Sequence, residues 1–184
     1  TKEIDLSTLF NSNALLAELL KSEILNNINL NFNLDINANK FKKYQGFDDI
    51  FLNFKIKEGL IDIDNTKFNW KDYAKFKILD SLIHVKNSEL VLDGKLEIII
   101  KDSQEIYKTL LTPKNYRTEI EKIELNFNYN FDQKILKLND IRVDNVINKN
   151  VGNILKNLIV RSDKLQNKIY FKNMINKAIK SYAG

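Results

Sequence analysis

Cysteine is absent from the 184 residues. That excludes a disulfide framework, a thiolate zinc site and a cysteine nucleophile. Histidine occurs once, at His84, so no cluster of imidazoles is available to hold a metal. Proline also occurs once, at Pro113, and glycine only five times. So little chain punctuation argues against a flexible linker between domains, and 1–184 reads as a single domain. No apolar run approaches the roughly 20 residues of a bilayer-spanning helix. A glycine-rich phosphate loop, a G-x-S-x-G elbow and an H-E-x-x-H helix are all missing. With no catalytic motif left, neither an enzyme activity nor a cofactor or metal site is expected.

Charge is plentiful but divided unevenly. The net charge is +5, made up of +7 from residue 149 onward and −2 before it. The basic end is helical in pattern. It carries Lys168, Lys172 and Lys180 as candidate contacts to an anionic surface, against the plainer reading of a solvated helix face.

The dominant signal is strict alternation of apolar and polar residues, which places alternate side chains on opposite faces of a strand. It is densest over 59–102. There Ile61 and Ile63, Phe68 and Trp70, Phe76 and Ile78, Ile83 and Val85, Leu90 and Leu92, and Leu96, Ile98 and Ile100 share one phase. The same phase continues in Ile28, Leu30, Phe32, Leu34 and Ile36, in Ile50, Leu52, Phe54 and Ile56, and in Ile123, Leu125, Phe127, Tyr129 and Phe131. A strand extended over 23–38 would span roughly 50 Å, longer than most, and implies curvature or a bulge. Asp93-Gly94 reads as a hairpin or bulge signal, and a slip of phase near Asn139-Asp140 as a bulge.

Helical spacing predicts a helix over about 5–25, a short one over 103–112 capped by Asp102 or Ser103, and two in the segment 146–184. The fold class is therefore α+β. A large curved, mainly antiparallel sheet, a meander or open half-barrel over 26–145, carries helices at the N-terminus, between strands and at the C-terminus.

The remaining polar candidates read as structural. Asp62 and Asp64 share a strand face, but calcium needs about six oxygens from a shaped loop. Asp140, Arg142 and Asp144 fit turn charges, and His84 an edge residue. Phe127, Tyr129 and Phe131 lie in the apolar phase rather than on a base-stacking platform, so no nucleic acid is expected.

The segments ILDSLIHVKN, ELVLDGKLEIIIKD and IYKTLLTPKNYRTEIEKIELNFNYNF, with NINLNFNLDIN before them, resemble the C-terminal region of AsmA-like proteins. The carriers are residues 59–64, 79–86, 89–102 and 106–131, and the resemblance spans about 15–146. It implies a member of the AsmA and TamB group of bacterial envelope proteins. It also implies a periplasmic portion of a longer chain, tethered to the inner membrane by an anchor outside this sequence. Its implied function is to bind or convey phospholipid along an apolar β-groove in support of outer-membrane biogenesis. The candidate lipid-facing residues are Ile28, Leu30, Phe32, Leu34, Ile36, Ile50, Leu52, Phe54, Ile56, Leu125 and Phe127. The alternative is a structural module that docks a protein partner in the envelope and holds no ligand.

Overall fold

The computed structural model describes residues 1–5, 14–42, 44, 46–147, 149–156, 160–161 and 167–183. Eleven strands of the described residues form one sheet: β1 Glu3–Ile4, β2 Phe32–Phe41, β3 Phe47–Lys57, β4 Leu60–Asp62, β5 Lys67–Trp70, β6 Ala74–Lys86, β7 Glu89–Ile100, β8 Lys122–Asn130, β9 Ile135–Val143, β10 Val146–Ile147 and β11 Val160–Arg161. Among the described residues four helices accompany it: α1 Leu15–Lys21, α2 Ser103–Leu110, α3 Lys149–Lys156 and α4 Lys168–Ala183. A 3-10 turn, Lys114–Tyr116, follows α2. The α+β class and the antiparallel meander expected from alternation are what the chain adopts.

Neighbours along the sheet run β1-β2-β3-β4-β6-β7-β8-β9-β10, with β5 bridging β3 and β6 and β11 pairing with β9. All pairings are antiparallel except β1 with β2. Three hairpins close through two residues with positive φ: Glu58-Gly59, Asn87-Ser88 and Asp144-Asn145. That geometry matches the right-handed twist of the flanking strands. Gly59 is needed twice over. Its φ is +80°, and a Cβ there would lie 2.9 Å from the Asn26 carbonyl oxygen.

Where the register slips, an aspartate takes the left-handed conformation. Asp49 does so in β3, Asp80 in β6 and Asp140 in β9. A short polar side chain tolerates that region, and each bulge adds local twist. The bulge expected at Asn139-Asp140 is there. The signal at Asp93-Gly94 belongs to a different feature. β7 runs unbroken through it, and the bulge lies opposite, at Asp80-Ser81. Gly94 leaves room for the Phe127 ring, whose Cζ would be 2.9 Å from an added Cβ.

Two N-terminal expectations need correction. The helix expected over 5–25 is α1 alone among the described residues, and Glu3–Ile4 is a strand; 6–13 lie outside the described residues. The extended run expected over 23–38 starts only at Phe32. Glu23 reverses the chain at φ 57°, and the Asn27 side chain accepts from the Asn29 N–H at 2.9 Å. Such local bonds offer the backbone an alternative to a ladder, so the Asn-rich alternation before β2 forms turns. At the other end, β10 and β11 are strands that helical spacing over 146–184 did not foresee.

Helices cover much of the apolar face. α1 places Ala17 and Leu20 on Phe54, Ile56, Ile61, Ile83 and Leu90. α2 and α4 bring Ile106, Tyr107, Leu110 and Ile179 together with Ala74. α3 and α4 set Val151, Leu155 and Ala178 on Leu125 and Ile141. Lys21 of α1 pairs with Asp132, whose other oxygen accepts from the Leu90 N–H at 2.8 Å, so α1 is tied to the β8–β9 turn.

Candidate functional site

The residues expected to face lipid divide into two groups. Ile50, Leu52, Phe54, Ile56 and Leu125 are buried in the core, while Leu30, Ile36 and Phe127 are half-buried. Ile28, Phe32 and Leu34 stand out at 70%, 48% and 42% exposure. The register explains the contrast. Phe32 lies opposite Ile56 and Leu34 opposite Phe54, so all four share a face. β3 has neighbours on both sides. β2 borders open space along 32–36 among the described residues, because β1 pairs only with Lys40 and Phe41. The amine of Thr1 donates to the Asn37 oxygen at 2.7 Å and marks where that cover stops. The result is a short sheet edge whose backbone groups and two large apolar side chains are open together.

Beside it lies an aromatic strip absent from the candidate list. Phe68 stacks on Phe76 with centroids 4.9 Å apart and planes 7° apart. Phe47 lies across both, and Trp70 and Phe41 extend the cluster. Phe68, Phe76 and Trp70 are half-buried. Their alternation was visible in the sequence. What brings them together with Phe41 and Phe47 is the docking of β5 between β3 and β6, which spacing does not reveal.

The opposite face is polar, and its groups largely partner one another. Lys95, Glu124, Lys122 and Glu97 form a ladder of ion pairs at 3.1, 3.2 and 2.8 Å. Bonding to Lys95, then to Lys122, holds the Glu124 carboxyl below the usual range. Asp93 accepts from Asn128 and pairs with His84, both at 2.8 Å. Burial acts to raise the Asp93 pKa, but these partners bring it below the ordinary value. His84 thus has a carboxylate partner that a plain edge residue would lack. A shallow cleft of about 520 Å³ runs between Asp80, Asp93, Lys95, Asn126 and Asp140, and within it Asn126 donates to Asp140 at 3.2 Å.

Asp62 and Asp64 do not converge on a cation. Asp62 caps the Asp64 N–H, while one Asp64 oxygen accepts from both the Ser81 N–H and hydroxyl at 2.7 and 2.6 Å. It pins the β6 bulge. Asp144 likewise accepts the N–H groups of Glu121 and Lys122. Among the described residues no group of His, Asp or Glu has the arrangement of a metal site. On α4, Lys172 is half-buried and Lys180 holds its Nζ 5.6 Å above the Tyr116 ring; the Lys168 side chain lies outside the described residues. No described helix is long and apolar enough to cross a membrane.

No protein-family profile, curated protein or solved structure matches this chain.

Proposed function

We propose that this chain is a non-enzymatic binding module that takes up an extended, apolar-alternating peptide segment by strand addition at the free edge of β2. The observation that carries the reading is the coincidence of an edge at 32–36 left unpaired among the described residues with exposed Phe32 and Leu34. Backbone groups on such an edge need hydrogen-bond partners. An acyl chain supplies none and would leave them against hydrocarbon, whereas a strand satisfies them and offers side chains at matching spacing. β1 already uses the same edge in this way at Lys40 and Phe41. The AsmA-like resemblance adds the bacterial periplasm as the proposed setting and an envelope protein as the proposed partner.

A test uses an eight-residue peptide of alternating Val and Thr. Its addition is expected to slow amide exchange at 32–36, and backbone N-methylation of the peptide is expected to abolish the effect. Unchanged exchange at those amides, in a protein that sediments as a strict monomer at all concentrations, would sink the proposal.

A second reading, phospholipid held against the apolar face, draws support from the half-buried Phe68–Phe76–Trp70 strip. Lipid extraction and mass spectrometry of the purified protein separate the two. About one phospholipid per chain favours the lipid reading, and none favours the strand.

A further inference from the structure

α2 ends in an unusual way. Leu111 occupies the position just past the helix, with φ 59° and ψ 38°. That left-handed cap is ordinarily filled by glycine, because a Cβ is disfavoured there. Its N–H bonds to the Lys108 oxygen, and the next N–H, of Thr112, bonds to the Tyr107 oxygen at 2.8 Å. A leucine therefore sits where backbone geometry disfavours it, and its side chain is 74% exposed. It contributes almost nothing to the core in return.

The loop is held firmly in this state. Asn176 of α4 donates to the Leu110 oxygen at 2.8 Å, and its oxygen accepts from the Thr112 hydroxyl at 2.5 Å. One side chain thus clamps both neighbours of Leu111. Seven residues earlier on α4, and so on nearly the same stripe of the helix, Ile169 is 73% exposed. The stretches of chain that carry these two side chains are basic, although Lys108, one turn before Leu111, is paired with Glu105. Segments 106–118 and 168–183 contain no Asp or Glu. Lys114 and Lys172 make no ion pair among the described residues.

We propose that Leu111 and Ile169, each with a lysine three residues further along the chain, Lys114 and Lys172, dock on the surface of an anionic lipid bilayer, with Leu111 inserted among the acyl chains. Exposed apolar side chains on basic stretches of chain fit a surface that is negatively charged outside and hydrocarbon beneath. The surface lies on the α2–α4 corner, distinct from the β2 edge, and its test is independent of strand addition.

Because the chain has no cysteine, Leu111→Cys gives a single labelling site for a polarity-sensitive dye. Vesicles of phosphatidylcholine with about one-third phosphatidylglycerol are expected to shift the dye's emission to the blue, and pure phosphatidylcholine vesicles to leave it unchanged. Leu111→Gly removes the side chain and relieves the backbone. It is expected to leave the melting temperature no lower while weakening vesicle binding about tenfold, the loss that un-burying one leucine implies. Lys114→Glu with Lys172→Glu is expected to weaken binding by at least as much and to flatten its dependence on salt. Vesicle binding without a blue shift, binding unaffected by Leu111→Gly, or no binding to anionic vesicles at all would each overturn the proposal.

Discussion

β2 and β3 carry the same alternating pattern and pair with each other residue by residue, yet they end in opposite environments. Leu34 faces Phe54 across the ladder, and one is exposed while the other is buried. The difference is position. β3 has β4 and β5 on its far side, and its apolar face adjoins the cluster centred on α1. Among the described residues, β2 has only the two residues of β1 along its other edge. Alternation therefore says which side of a strand is apolar. It does not say whether that side becomes interior or stays available to a partner.

The sharpest way to probe the contrast is to truncate a side chain at the centre of the sheet. Leu90, 1% exposed and surrounded by the α1 cluster, should lose about 3 kcal/mol of stability on replacement by alanine, read from the urea midpoint. Gly59→Ala adds a methyl group against the Asn26 carbonyl at a positive φ. It should destabilise by about 2 kcal/mol and so show how firmly the turns before β2 lock onto the β3–β4 hairpin. Gly152 of α3 has open space where a Cβ would be, and Gly152→Ala should stabilise by about 0.8 kcal/mol on helix propensity alone. A loss there would mean that α3 packs more tightly on the sheet than its contacts indicate.

Acid should loosen α1 selectively. Burial works to raise the Asp132 pKa, but the bonds from Lys21 and the Leu90 N–H hold it below the ordinary carboxylate value. A carboxyl whose folded pKa is depressed stabilises the fold above its unfolded pKa, near 4, and that contribution is lost as pH falls through the folded value. Faster amide exchange in α1 below about pH 4, removed in Lys21→Met, is the expected signature. The smallest effect on stability belongs to the free edge. Leu34→Lys should change it by less than about 0.5 kcal/mol while abolishing peptide-induced protection at 32–36. A large loss of stability would instead place Leu34 in the core and erase the distinction between the two strands.

Several features were legible because their causes are local. The meander, the α2 cap at Asp102 and the bulge at Asp140 follow from neighbouring residues, and Asp102 does accept the Glu105 N–H, at 2.9 Å. The buried members of the lipid-facing set were legible as apolar, and their pattern left open whether the face is a closed core or a groove. Turns at 22–29 escaped because asparagine alternating with leucine and isoleucine reads as a strand until its side chains bond the backbone. Leu111 escaped for another reason. It continues the apolar pattern of its helix, and only its φ and exposure show that it points away from the core.

The order of apolar and polar residues by itself determined that this protein is a one-sided sheet with helices at its ends, since side-chain period is set by local backbone geometry. Tertiary structure alone decided which strand became an edge, where β5 gathered the aromatic strip, and which leucines were left in the open. Those outcomes depend on contacts between residues far apart in the chain, such as Lys40 with Glu3 and Asn176 with Thr112, and no local pattern records them.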